Sequence, residues 1–126
     1  MSMPRFGRVQ DLQGRVYTPQ RAFVNAAAGT TTVVVAAVAL KKIAVLGYRL
    51  NAGDTDTTLT FESDPTSGSN TAIDFLHSCA ANALMGHNIN PSAEPLFITK
   101  PGEGLSVTTG AGSAIGVAVI YLVIDN

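Results

Sequence analysis

Three groups of residues in this chain are of types that could do chemistry. His77 and Cys79 lie two apart, so on a strand they would share a face, and His87 follows downstream. Imidazole and thiolate are zinc ligands. The spacing matches no zinc pattern and a fourth ligand is missing, so the favoured reading is a buried small Cys beside a hydrogen-bonded His. Asp54 and Asp56, followed by Glu62, could attract calcium, but the twelve-residue loop closed by a bidentate Glu is absent, and a solvated turn is the simpler reading. Ser78 stands between His77 and Cys79 and on a strand would point the opposite way, whereas a nucleophile needs an oriented base beside it. Gly102 and Gly104 flank Glu103 without forming a phosphate-binding loop. Pro101 to Gly104 reads as a hairpin turn, with a contact loop as its functional alternative. These patterns imply no enzyme activity, no metal and no cofactor.

The elements that must position these residues are strands. Thr57 to Glu62 alternates, with Leu59 and Phe61 on one face and Thr58, Thr60 and Glu62 on the other. Thr30 to Val35 is rich in β-branched residues. Further strands are expected at Ala22 to Ala27, Lys42 to Leu50, Pro95 to Thr99, Leu105 to Thr109 and Ala114 to Ile124. A short one is expected near Leu84 to Asn88. In Lys42 to Leu50, strict alternation puts Ile43, Val45 and Gly47 on one side and Ala44, Leu46, Tyr48 and Leu50 on the other. Ala36 to Leu40 is too short to nucleate a helix and reads as a bend. Ile73 to Ala80 fits a strand or one or two helical turns. Ser63 to Asn70 is a polar surface loop. About eight short strands separated by turn signals predict an all-β fold, a β-sandwich or jelly roll.

The final strand is apolar at nearly every position from Ala114 to Ile124, so it must be covered on both faces. Another copy of the chain is the expected second cover.

With 126 residues the chain fits one domain, and one cysteine rules out internal disulfides. Charged residues make up 13% and hydrophobic residues 46%, which excludes a disordered chain. Charge is uneven: residues 1–21 carry Arg5, Arg8, Arg15 and Arg21 against Asp11, a net of +3, while the rest carries −4. The division expected is an extended N-terminal arm, 1–21, and a β-sandwich domain, 22–126. The arm suits docking on an acidic surface; a frayed tail is the alternative. Four spread arginines fall short of a nucleic-acid patch, so no nucleic acid is expected. No apolar run approaches the roughly twenty residues of a membrane span, and MSMPRFGR lacks the apolar core of a signal peptide.

The run KKIAVLGYRLNAG, then TLTFES, IDFLHSCAANALMGHN and PLFITKPGEGLSVTTGAGSAIGVAVIYLV, residues 41–124, resembles small tailed-phage head proteins. These are the capsid decoration, or cement, proteins, which form trimeric β-sandwich knobs on the outside of heads. One departure is Ala83, Leu84 and Met85, where such proteins often have a small polar or Gly-rich loop. The resemblance implies a virion protein on the outer capsid surface, made in the host cytoplasm. It would be a homotrimer that binds the major capsid protein and stiffens the shell. Arg5, Arg8, Arg15 and Arg21 would then serve the docking arm, and Val119, Ile120, Tyr121 and Leu122 a three-fold seam. A receptor- or glycan-binding knob of the adhesin or tail-fibre kind is the alternative, disfavoured by the absence of Trp and the placement of most of the eight aromatics on strands.

Overall fold

The computed structural model describes residues 9–10, 16–87 and 94–125. Among these residues there are twelve strands and no helix. They are β1 (Val9–Gln10), β2 (Val16–Tyr17), β3 (Gln20–Ala26), β4 (Thr31–Val35), β5 (Lys41–Ala52), β6 (Thr57–Asp64), β7 (Thr71–Ala72), β8 (His77–Cys79), β9 (Leu84–His87), β10 (Phe97–Ile98), β11 (Gly104–Thr109) and β12 (Ile115–Asp125). The strands read from the sequence recur with shifted ends, and the ambiguous stretch 73–80 contributes only the short β8. The predicted boundary at 21 falls inside β3, so Arg21 belongs to the sandwich and not to an arm.

Two five-stranded antiparallel sheets form the sandwich. The front sheet runs β10-β5-β12-β3, with β9 also paired to β5; the back sheet runs β4-β11-β6-β7, with β8 also paired to β6. β1 and β2 pair with each other as a small ladder. The long central pair β5 and β12 stays in contact over the whole of both strands. Between the sheets, the inward residues of the longer strands make one apolar core that includes Ile43, Val45, Leu50, Leu59, Phe61, Leu105, Val107, Ile115 and Val117. β6 shows why: Leu59 and Phe61 are buried, while Thr58, Thr60 and Glu62 stay half-exposed.

One face assignment needs correction. Tyr121 pairs with Val45, but Ile120 pairs with Gly47, so Leu46 is an extra residue on β5. This β-bulge reverses the alternation. Ile43 and Val45 face the core before it, and Leu50 and Ala52 face the same core after it, with Tyr48 packed against them. Strict alternation had set Leu50 and Tyr48 opposite Ile43 and Val45. Outside the bulge, Ala44 and Leu46 turn away from the core and form a second cluster with Leu122, against which Ile120, Ile124 and Tyr17 pack.

That second cluster explains the missing polar face of β12. Its inward residues Ile115, Val117, Val119 and Tyr121 fill the sandwich, and its outward residue Leu122 is only 3% exposed. Tyr17 of β2 lies over it, so the chain supplies part of the second cover itself.

Candidate docking surface

Of the residues singled out for chemistry, His77, Ser78 and Cys79 share β8, while His87, Glu62 and the pair Asp54 and Asp56 lie on other elements. His77 is 3% exposed, and its Nε2 lies 3.0 Å from Asp74 Oδ2. Its ring is enclosed edge-on by Tyr48 and Phe61, with centroids at 5.2 and 5.7 Å, and Phe75 lies 4.6 Å away. Cys79 is 2% exposed, and Ser78 points the other way to the surface. His87 is on β9, paired with Tyr48 of β5. Asp56 accepts the Ala81 N–H at 2.8 Å, Asp54 accepts the Thr55 hydroxyl at 3.4 Å, and Glu62 accepts the Thr108 hydroxyl at 2.6 Å. Among the described residues no group of three or more His, Cys, Asp or Glu converges as a metal site. The turn at Pro101 to Gly104 is held to the body: Ser63 donates to Glu103 at 2.9 Å, and the Gly102 N–H donates to Lys41 C=O at 2.7 Å.

Burial raises the thiol pKa of Cys79. Burial also raises the Tyr48 phenol, with smaller contributions from the charges of Asp74 and Cys79. Both groups therefore hold their protons more tightly when folded. Their contribution to stability is present at neutral pH. It is lost as pH rises past the ordinary thiol and phenol values, about 8.5 and about 10, because the unfolded chain ionises first. Unfolding midpoints in denaturant are expected to fall over that range, and Cys79 is expected to react with a thiol reagent only as the fold opens. Fast labelling of the folded protein at pH 8 would show that Cys79 is not where the structure puts it.

The assembly residues predicted from the sequence fare differently. Arg5, Arg8 and Arg15 lie outside the described residues. Arg21 is exposed on the outer side of β3, opposite Ile120. Val119 and Tyr121 point into the core, and Leu122 belongs to the second cluster, so three of the four seam residues are enclosed within one chain. Ile120 alone is half-buried on the outer face.

That outer face of the front sheet holds a feature the sequence did not announce. Register places Asn25, Gly116, Asn51 and Leu84 side by side on β3, β12, β5 and β9. The next rung is Phe23, Ala118, Arg49 and Gly86. The middle strand offers only Gly116 and Ala118, while its neighbours carry long side chains. The result is a trough of ≈ 310 Å³ along β12, walled by Phe23 and Leu84 and edged by Asn25, Arg49 and Asn51. Phe23 is 83% exposed and Leu84 70%. Gly86 keeps one side low: a Cβ there would lie 2.9 Å from Tyr48 O and 3.1 Å from Arg49 Cγ, so a larger residue would displace the Arg49 stem. The alternation QRAFVNA has apolar residues at 22, 23 and 24, which hides from the sequence that Phe23 faces water.

No family model matches the chain, and no curated protein matches it in sequence. Solved structures share its fold. A chain of the cyanophage Pam1 capsid asymmetric unit superposes with a TM-score of 0.54 at 17% identity, over 95% of this chain and 99% of that one. A chain from Bacillus endospore appendages, described as a family of disulfide-linked pili, superposes with a TM-score of 0.51 at 13% identity, over 99% and 96%. At these identities the likeness is one of fold, and the fold in both cases is matched along almost the full length.

Proposed function

We propose that the chain is a structural virion subunit: a capsid decoration or cement protein that binds the outside of a phage head as a homotrimer, contacts the major capsid protein and stiffens the shell. The observation that carries this reading is the superposition on the cyanophage Pam1 capsid chain, in which nearly all of both chains is one common sandwich. The resemblance of residues 41–124 to decoration proteins points the same way, and the N-terminal arginines supply a basic segment for docking.

The likeness to the endospore appendage chain supports a different assembly, a filament. Disulfide linkage of the kind described for that pilus is closed to this chain in its folded form. Its single cysteine is Cys79, and that thiol is buried. A head protein is therefore the better reading.

The test is the composition of purified particles. Quantitative mass spectrometry is expected to find the chain in a fixed ratio to the major capsid protein, as a shell-wide subunit requires. A trace amount, or a copy number matching a tail tip, would sink the proposal. Native mass spectrometry of the isolated protein is expected to give three times the chain mass.

A further inference from the structure

The strands of the two sheets differ in charge, although Lys100, from the loop after β10, reaches the Thr71 hydroxyl of β7 with its Nζ at 3.2 Å. The front-sheet strands carry Arg21, Lys41, Lys42 and Arg49 against one carboxylate, Asp125, which is paired with Lys41. By register Arg21, Lys42 and Arg49 face outward, and no carboxylate from the front-sheet strands faces out with them. The back-sheet strands contain no Lys or Arg at all. Their outward carboxylates, Glu62 and Asp64, are hydrogen-bonded to hydroxyls: Thr108 donates to Glu62 at 2.6 Å and Ser106 to Asp64 at 2.5 Å. The Thr108 hydroxyl also lies 2.8 Å from that of Thr31.

The trough, with the exposed Phe23 and Leu84, is on the cationic side. An exposed Phe beside a recess floored by Gly and Ala is a surface shaped for contact, because burying such apolar area is favourable and packing into a recess adds to it. The back face also exposes an apolar side chain, Val33 at 51%, but sets it among hydroxyls and carboxylates.

We propose that the outer face of the front sheet is the side that docks on the shell. Its occupant is an acidic protein surface that sets carboxylates against Arg21, Lys42 and Arg49 and an apolar side chain into the trough between Phe23 and Leu84. This rests on the virion reading above and adds to it an orientation, with the back sheet turned to solvent. A second copy of the chain is a poorer occupant. Front face against front face brings like cations together. Front face on back face repeats head to tail, and outer faces pointing in opposite directions give an open row instead of a closed oligomer.

Heads produced without the protein are the probe. They would be incubated with the purified chain and sedimented, at low and at higher salt. The wild type is expected to bind, more weakly as salt rises. Arg49→Glu and Phe23→Ser are each expected to weaken binding about ten-fold or more, and the matched back-face change Val33→Ser to leave it unchanged. Thermal melts close to wild type would show that all three variants fold. If wild type binds and the front-face variants bind equally well, or Val33→Ser loses as much, this inference is overturned while the virion reading stands. If wild type fails to bind heads at all, the virion reading falls and takes the inference with it. If Arg49→Glu instead abolishes self-association and leaves head binding intact, the face belongs to a second copy and the proposal is wrong.

Discussion

Phe61→Ala is expected to lower the free energy of unfolding by about 3–5 kcal/mol, the range for deleting a buried aromatic ring and leaving a cavity. Phe61 is fully buried on β6. Its ring centroid lies 4.9 Å from Phe97, 5.3 Å from Tyr48 and 5.7 Å from His77. These partners come from β10, β5 and β8, so the ring ties both sheets together at the side where the short strands β8 and β10 cap the sandwich. Four strands would have to shift to fill the space, and antiparallel ladders resist such a shift. Tilted and edge-on ring pairs add to the loss beyond buried area. Denaturant unfolding followed by tyrosine fluorescence would measure it. The comparison that gives the result meaning is Phe23→Ala, the same chemical change on an exposed strand position, expected within about 0.5 kcal/mol of wild type. Equal effects at the two sites would contradict the inside and outside assigned here.

Gly112→Ala is expected to cost about 3 kcal/mol or more, or to prevent folding. A Cβ on Gly112 would sit 1.9 Å from the carbonyl oxygen of Asp56 and 3.1 Å from Thr57 Cβ. The obstacle is backbone, and it cannot swing aside as a side chain would. Nor can the turn lift away easily. The Gly110 N–H donates to Thr58 C=O at 2.8 Å, the Gly29 N–H donates to Gly110 C=O at 2.8 Å, and Ser113 Oγ donates to Thr55 C=O at 2.8 Å. This turn joins β11 to β12, crossing from the back sheet to the front, so a displaced turn drags the register of β12 with it. Gly68→Ala is the informative control. Gly68 has φ +94° but open space around it, so Ala there pays only the positive-φ strain, about 1–2 kcal/mol. A melting curve for Gly112→Ala no worse than that of Gly68→Ala would show that the turn does not lie on the Asp56–Thr57 backbone.

The strands were legible because half-buried sheets write their pleat into the sequence. β6 is the clearest case, and the apolar β12 signalled cover on both faces, which the chain itself supplies on the outer side only around Leu122. What escaped was whatever depends on an irregularity or on distance along the chain. The bulge at Leu46 reverses the faces of β5 with no change in residue type, although Gly47 in the middle of a strand is the kind of signal that marks one. The cover on the far face of β12 was assigned to a second copy, because nothing in the sequence places Tyr17 there. His77 was read as a hydrogen-bonded core residue, and Asp74 on the preceding loop is the partner found. The trough needed the register of four strands, β3, β12, β5 and β9, to become visible. Each of its residues is unremarkable alone: two glycines, an alanine, two asparagines, an arginine, a phenylalanine and a leucine.

The most direct test of a virion role is a cryo-EM reconstruction of heads that carry the protein. The expected result is a symmetric array of three-copy knobs on the outer surface, each sandwich with β3, β12, β5 and β9 toward the shell and the β4-β11-β6 face outward. Heads with no such density, or with the sandwich confined to the tail, would contradict it.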